Sequence, residues 1–320
     1  MKVSIIGASG NVGCASALSL AETEYVDELA LISRKSSIEK TKGESLDIYD
    51  AMAAMGADIS IKSSSDMEII QESDVVVLTA GVPRKNNVTR MELAKTNAKI
   101  IADYSQEIYK YSPDSVVLVV TNPVDVMTYV ALKKSDLSKN QVFGLGNHLD
   151  SLRMKKYIAK HFKVHVNEIN TRVIGQHGVH MVPLMSLTAI GGIPISDFMK
   201  YKYIPELDEF DVEGTIKKVI SSGGDIIGCK GATEYGPAYA ISDVVKTVLR
   251  DEKKIFTVST YLDNEIPGIN DVCLGMPATI GKTGVENVIP IKMAKEEMDE
   301  FLRAYRFVKK NNNQVMNDLG

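Results

Sequence analysis

Short apolar runs and helix-period segments alternate along the first half of the chain. Val3–Ile6, Leu29–Ile32, Val75–Thr79 and Val116–Thr121 are almost unbroken aliphatic runs, the pattern of parallel strands covered on both faces. Between the last two, Leu93, Ile100, Ile101, Tyr104, Ile108 and Tyr111 recur at helical spacing, and Val142–Leu145 supplies one more strand-like run. Strand and helix in alternation predict βαβ units and a doubly wound parallel sheet.

From about residue 150 the pattern changes. Leu149–Phe162 reads as a helix, Ile169–Ile174 as a strand, and Val212–Ile227 and Tyr235–Arg250 as a pair of long helices. Ile255–Leu262 and Val272–Ile280 read as antiparallel strands, and a charged helix runs from Met293 to about Lys309. The Asn-rich end, NNNQVMNDLG, is expected to fray. No repeat or low-complexity linker interrupts the chain. The expected division is therefore a packed junction, with a doubly wound domain over 1–147 and a mixed α/β domain over 148–320.

Composition narrows the class little. The formal net charge is −4 with the signs interspersed, which points to neither nucleic acid nor a membrane surface as partner. No apolar run reaches the ~20 residues that span a bilayer. Cys14, Cys229 and Cys273 are scattered, as in reduced intracellular proteins. The opening MKVSIIGASG enters a strand at once and leaves no room for a leader, so the cytoplasm is the expected location.

The first strand runs directly into Gly7-Ala8-Ser9-Gly10-Asn11-Val12-Gly13 and then a helical pattern. Glycines at steps of three suit a turn that lays backbone N–H groups and a helix N-terminus against a pyrophosphate. The other reading is a tight turn without a ligand. At the end of the second strand, where an acidic residue would receive an adenosine ribose, stand Ser33, Arg34 and Lys35. A neutral serine flanked by cations suits a ribose 2′-phosphate, and so NADP in preference to NAD, which stays possible. Alternatively, Arg34 and Lys35 are a solvated pair at a loop start.

Four more stretches carry chemistry: AGVPRKNNVTRMEL with Arg84 and Arg90, TNPVDVMTYVAL with Asn122, LDSLRM with Asp150 and Arg153, and IGQHGVHMVP with His177. In this order and at these separations they resemble the lactate/malate dehydrogenase family, from GASGNVG through KGATEYGPAYAI. The resemblance implies an NAD(P)-dependent oxidoreductase with a Rossmann-like sheet, acting on malate and oxaloacetate. His177 would be the acid–base and Asp150 its partner. Arg90 would polarise the carbonyl, Arg153 grip the substrate carboxylate, and Asn122 bond the substrate oxygen.

Arg84 would select oxaloacetate through its second carboxylate, where lactate dehydrogenases carry an uncharged residue. Thr233 would line the substrate pocket. Gly7, Ser9, Gly10, Asn11, Val12, Gly13, Ser33, Arg34, Lys35, Thr79, Ala80, Gly81, Asn97, Val120 and Asn122 would line the cofactor site. The loop departs from the family's Arg-Lys-Pro-Gly by Asn86-Asn87, which bears on how it closes. A homodimer or homotetramer is expected.

Three other readings compete. A lactate dehydrogenase shares the mechanism and is opposed by Arg84. A non-catalytic NADP sensor would need the glycine loop but not Asp150, Arg153 and His177 together. A metal-using NAD-dependent glycosidase would need a ligand set, and neither His161 with His165 nor His177 with His180 has a Cys or paired carboxylate to complete one. No metal is expected.

Overall fold

The computed structural model describes residues 1–83, 90–201 and 208–320, with Arg90 described in its backbone only. Six parallel strands build the first half of a large sheet: β1 (Lys2–Ile6), β2 (Glu28–Ile32), β3 (Ser60–Ser64), β4 (Val75–Leu78), β5 (Val116–Val119) and β6 (Val142–Gly144). Their order is β3-β2-β1-β4-β5-β6. The helices between them are α1 (Asn11–Ala21), α2 (Ile38–Met55), α3 (Arg90–Tyr111) and α4 (Val124–Lys134). Every residue of β4 and β5 is buried, as a central parallel strand with both faces covered requires. The doubly wound sheet expected from the sequence is present.

The second half adds α5 (His148–Phe162), short strands β7 (Ile169–Asn170), β8 (Val173–Gly175), β9 (Met181–Pro183), β10 (Ala189–Ile190) and β11 (Ile193–Pro194), and helices α6 (Ile195–Tyr201), α7 (Val212–Lys230) and α8 (Tyr235–Leu249). The long strands β12 (Lys254–Ile266) and β13 (Ile269–Gly281), with β14 (Gly284–Val288), precede the last helix, α9 (Lys295–Leu319). β12 joins the parallel sheet through the pair Ser259–Gly144, and β13, β8 and β9 follow it antiparallel. One sheet therefore runs through both halves, with apolar layers on its two faces.

Two expectations fail. The run Ile169–Ile174 is not one strand: β7 pairs with β10 in a small separate sheet, whereas β8 joins the main one. The Asn-rich end does not fray. α9 continues to Leu319, and Phe301, Ala304, Val308, Asn312 and Val315 are all buried at helical spacing along one stripe.

Candidate active site

Each turn that forms the site follows a strand. After β1, Gly7 has φ 97°, and a Cβ there would lie 2.7 Å from the Ala80 backbone nitrogen. A Cβ at Gly13 would lie 2.4 Å from the Gly7 carbonyl oxygen, so α1 packs this closely on the loop only with glycine. Gly10 differs, since the nearest atom to a Cβ there would be the Gly7 carbonyl oxygen at 3.3 Å. Gly10 is also the N-cap of α1 and offers no side-chain cap, which leaves the first-turn N–H groups free for an anion. Residues Ser9, Gly10, Asn11 and Val12 thus fit a pyrophosphate.

At the end of β2, Ser33 is buried and its hydroxyl accepts a hydrogen bond from Thr41 Oγ1 at 2.7 Å. Arg34 and Lys35 are exposed. A cation the sequence reading passed over stands nearby: Lys40, in α2, donates from Nζ to the Ser9 carbonyl at 2.9 Å. Across the sheet, Asn97 ties two loops together. Its Oδ1 accepts the Val82 N–H at 2.8 Å, and its Nδ2 donates to the Asn122 carbonyl at 2.8 Å. Thr79 Oγ1 donates to the Ile6 carbonyl at 3.0 Å, and Thr121 Oγ1 to the Ala80 carbonyl at 2.8 Å. A Cβ on Gly81 would meet Thr121 Cγ2 at 2.6 Å, which keeps that wall flat. Val120 is half-buried and Asn122 exposed at the end of β5.

The residues to which the sequence assigns acid–base chemistry meet at the turn after β8. Gly175 (φ 82°) and Gly178 (φ 140°) flank Gln176-His177. Gln176 locks the turn, donating from Nε2 to the His177 carbonyl at 2.7 Å and accepting the His180 N–H at 3.0 Å. His177 Nδ1 lies 2.7 Å from Asp150 Oδ2. A carboxylate can only accept, so Nδ1 carries the hydrogen and Nε2 is left to exchange a proton.

Asp150 is fully buried in the first turn of α5, where the helix N-terminus favours a carboxylate. Asn147 Nδ2 donates to it at 3.1 Å, and Arg153 Nη1 lies 3.4 Å from Oδ1. Burial pulls the imidazole pKa down. The charge and hydrogen bond of Asp150 outweigh that, with Asp125 adding and Arg153 opposing, so the His177 pKa is raised above the ordinary histidine value.

Arg153 projects between α5 and α7. A Cβ on Gly223 of α7 would be 3.7 Å from the Arg153 guanidinium, so the helix passes it without a side chain in the way. Thr233 is half-buried in the loop joining α7 to α8. Arg84, Asn86 and Asn87 lie outside the described residues, and Arg90 opens α3 with its side chain outside them.

Two residues that hold this turn went unread in the sequence, Asp125 and Ser259. Asp125 is buried in the first turn of α4. Its Oδ2 accepts the His177 N–H at 2.8 Å and its Oδ1 the Ser259 hydroxyl at 2.7 Å. The TNPVD segment contains Asp125, but nothing in it points to partners so far along the chain.

Of the other histidines, His148 faces a carboxylate, its Nε2 3.3 Å from Asp243 Oδ2, and the remaining three make local contacts. His161 lies 5.0 Å from the Phe210 ring, His180 lies 4.7 Å from Phe307, and His165 Nδ1 accepts the Asn167 N–H at 3.3 Å. Among the described residues no cluster of His, Cys, Asp or Glu is arranged to hold a metal, and no helix is long and apolar enough to cross a membrane. A recess of about 700 Å³, lined in part by Met1, Asp74 and Asp114, opens at the amino ends of the strands, away from these loops.

Fold and site together define a dehydrogenase that uses a dinucleotide: a glycine loop over a parallel sheet, and an aspartate-held histidine in the second half of the chain. The chain belongs to the lactate/malate dehydrogenase family. Residues 1–144 match that family's NAD binding domain and residues 147–319 its alpha/beta C-terminal domain. It is 54% identical over 319 residues to a malate dehydrogenase of Methanothermobacter thermautotrophicus, covering 100% of this chain and 98% of that one. It is 50% identical over 319 residues to an L-2-hydroxycarboxylate dehydrogenase (NAD(P)(+)) of Methanocaldococcus jannaschii, covering 99% and 100%. The malate dehydrogenase of Archaeoglobus fulgidus, solved in complex with NADH, superposes with a TM-score of 0.86 at 34% identity, covering 98% and 99%.

Proposed function

We propose that the protein interconverts malate and oxaloacetate, with NADP(H) its preferred cofactor and NAD(H) a second one. The observation that carries this reading is the 2.7 Å pair of His177 Nδ1 and Asp150 Oδ2, with the Arg153 guanidinium beside it. A base fixed by a buried carboxylate, next to a cation able to clamp an acid, is what a 2-hydroxyacid requires. The malate dehydrogenase relatives support the four-carbon substrate.

The nicotinamide, when bound, supplies or accepts the hydride. The chain's own residues do the rest. His177 Nε2 donates a proton to the keto oxygen in the reductive direction and takes it back from the hydroxyl in the oxidative one. Asp150 holds the ring and stabilises its charged form, as the raised His177 pKa reflects. Arg153 orients the substrate by its 1-carboxylate, Asn122 bonds its oxygen, and Thr233 lines the pocket. Arg84 receives the second carboxylate and Arg90 polarises the carbonyl, both assigned from sequence. Gly7 to Gly13 would hold the cofactor's pyrophosphate, and Arg34, Lys35 and Lys40 would supply the cations for a ribose 2′-phosphate. The division falls near residue 147, and the working unit is a cytoplasmic homodimer or homotetramer.

Initial rates with oxaloacetate and pyruvate, each with NADPH and NADH, test this. Oxaloacetate with NADPH is expected to be fastest. Faster pyruvate turnover would make the protein a lactate dehydrogenase, faster NADH would demote Arg34 and Lys35 to solvated charges, and no turnover despite NADPH binding would favour a sensor.

A further inference from the structure

We propose that Asp125 is a positioning residue for the acid–base histidine, its carboxylate both fixing the His177 turn to the cofactor side of the sheet and setting a negative charge beside the ring. The inference rests on the acid–base role given to His177 above.

Three separate parts of the fold meet at this side chain. Asp125 begins α4, directly after the Asn122-Pro123 step that closes the cofactor wall. Ser259 lies on β12, at the pair with Gly144 that joins the antiparallel strands to the parallel ones. His177 lies on the turn after β8, fixed to Asp125 by its own peptide N–H at 2.8 Å. Asp150 sets the tilt of the ring through Nδ1, whereas Asp125 sets the backbone the ring hangs from. Together they fix the imidazole against both the substrate helix α5 and the cofactor loops.

A carboxylate is an expensive way to make two hydrogen bonds in a site with 2% exposure. An asparagine would make both, accepting from His177 N–H and donating to a rotated Ser259 hydroxyl. What the asparagine lacks is charge. The titratable groups facing Asp125 are His177 on the hairpin turn, Asp150 on α5 and the buried thiol of Cys273 on β13. Of these, the imidazolium is the one a negative charge favours, and Asp125 adds to the raised proton affinity of His177. Position and charge therefore act on the same residue.

Asp125→Asn and Asp125→Ala separate the two effects. In Asp125→Asn the KM for NADPH and for oxaloacetate should stay at wild-type values. The pH at which oxaloacetate reduction falls off should move lower, because the histidine loses its proton sooner. In Asp125→Ala, kcat/KM for oxaloacetate should fall about 100-fold with NADPH binding unchanged, the scale of a misplaced catalytic group. A pH profile for Asp125→Asn that overlays the wild type would overturn the proposal. That profile decides even where Asp125→Ala does not fold. His177→Ala is the control: its inactivity keeps the underlying reading whatever the Asp125 variants do, and its activity would sink that reading first.

Discussion

Asp150 Oδ2 and His177 Nδ1 lie 2.7 Å apart, and the aspartate that makes this contact has no exposed surface. A buried carboxylate with one short contact to an imidazole holds the ring in one tautomer and favours its protonated form. On the proposed mechanism that form is the reactive one in oxaloacetate reduction, so the rate should fall as pH rises through the raised His177 pKa. Malate oxidation needs the neutral ring and should rise over the same range. Asp150→Asn removes the charge, and its kcat/KM should fall by about 10² to 10³, with the reductive limb moved to lower pH. Unchanged pH profiles in the two directions would separate Asp150 from the proton transfer.

Arg153 offers its guanidinium beside the same carboxylate, with Gly223 of α7 next to it. Arg153→Met should raise the KM for oxaloacetate about 10- to 100-fold, the worth of a charge-assisted pair, with the KM for NADPH unchanged. Arg153→Lys should recover little, because a point charge cannot make the two-pronged contact. Equal effects on both KM values would place Arg153 in the packing of α5.

Asp125 gives a stability prediction of opposite sign to its effect on activity. Burial lifts its pKa from 3.8 to about 6, against the hydrogen bonds from Ser259 and the His177 N–H. The folded protein thus binds this proton more tightly than the unfolded chain does. Its contribution to stability is complete below about pH 4 and is lost as pH rises through about 6, a loss on the order of 3 kcal/mol. Asparagine is neutral throughout. Thermal melts should find Asp125→Asn more stable than wild type at about pH 8, with the difference closing toward pH 4. A difference independent of pH would contradict this account.

The sheet was legible because its strands are aliphatic runs, and β1, β2, β4, β5 and β6 fall where such runs predict them. β3 escaped because Ser60–Ser64 is SIKSS, a polar edge strand with one buried residue, Ile61. The end of α9 was misread from its asparagines. Composition suggested fraying, but Asn312 and Val315 continue the buried stripe set by Phe301, Ala304 and Val308. The α/β class and the glycine loop could be argued from residues alone. The partnership of His177 with Asp150, 27 residues apart, came from resemblance, since spacing says nothing about a turn packing on a helix. Asp125 had neither aid. Its partners lie 52 and 134 residues away, and only the folded sheet brings them to it.

The most direct test of the account is oxaloacetate-dependent NADPH oxidation by His177→Ala, measured beside NADPH binding to the same protein. The account predicts that turnover is lost while NADPH binds as it does to the wild type, because the glycine loop makes no use of His177. Turnover near the wild-type rate would mean that the proton comes from elsewhere, and the catalytic assignment would fall with it.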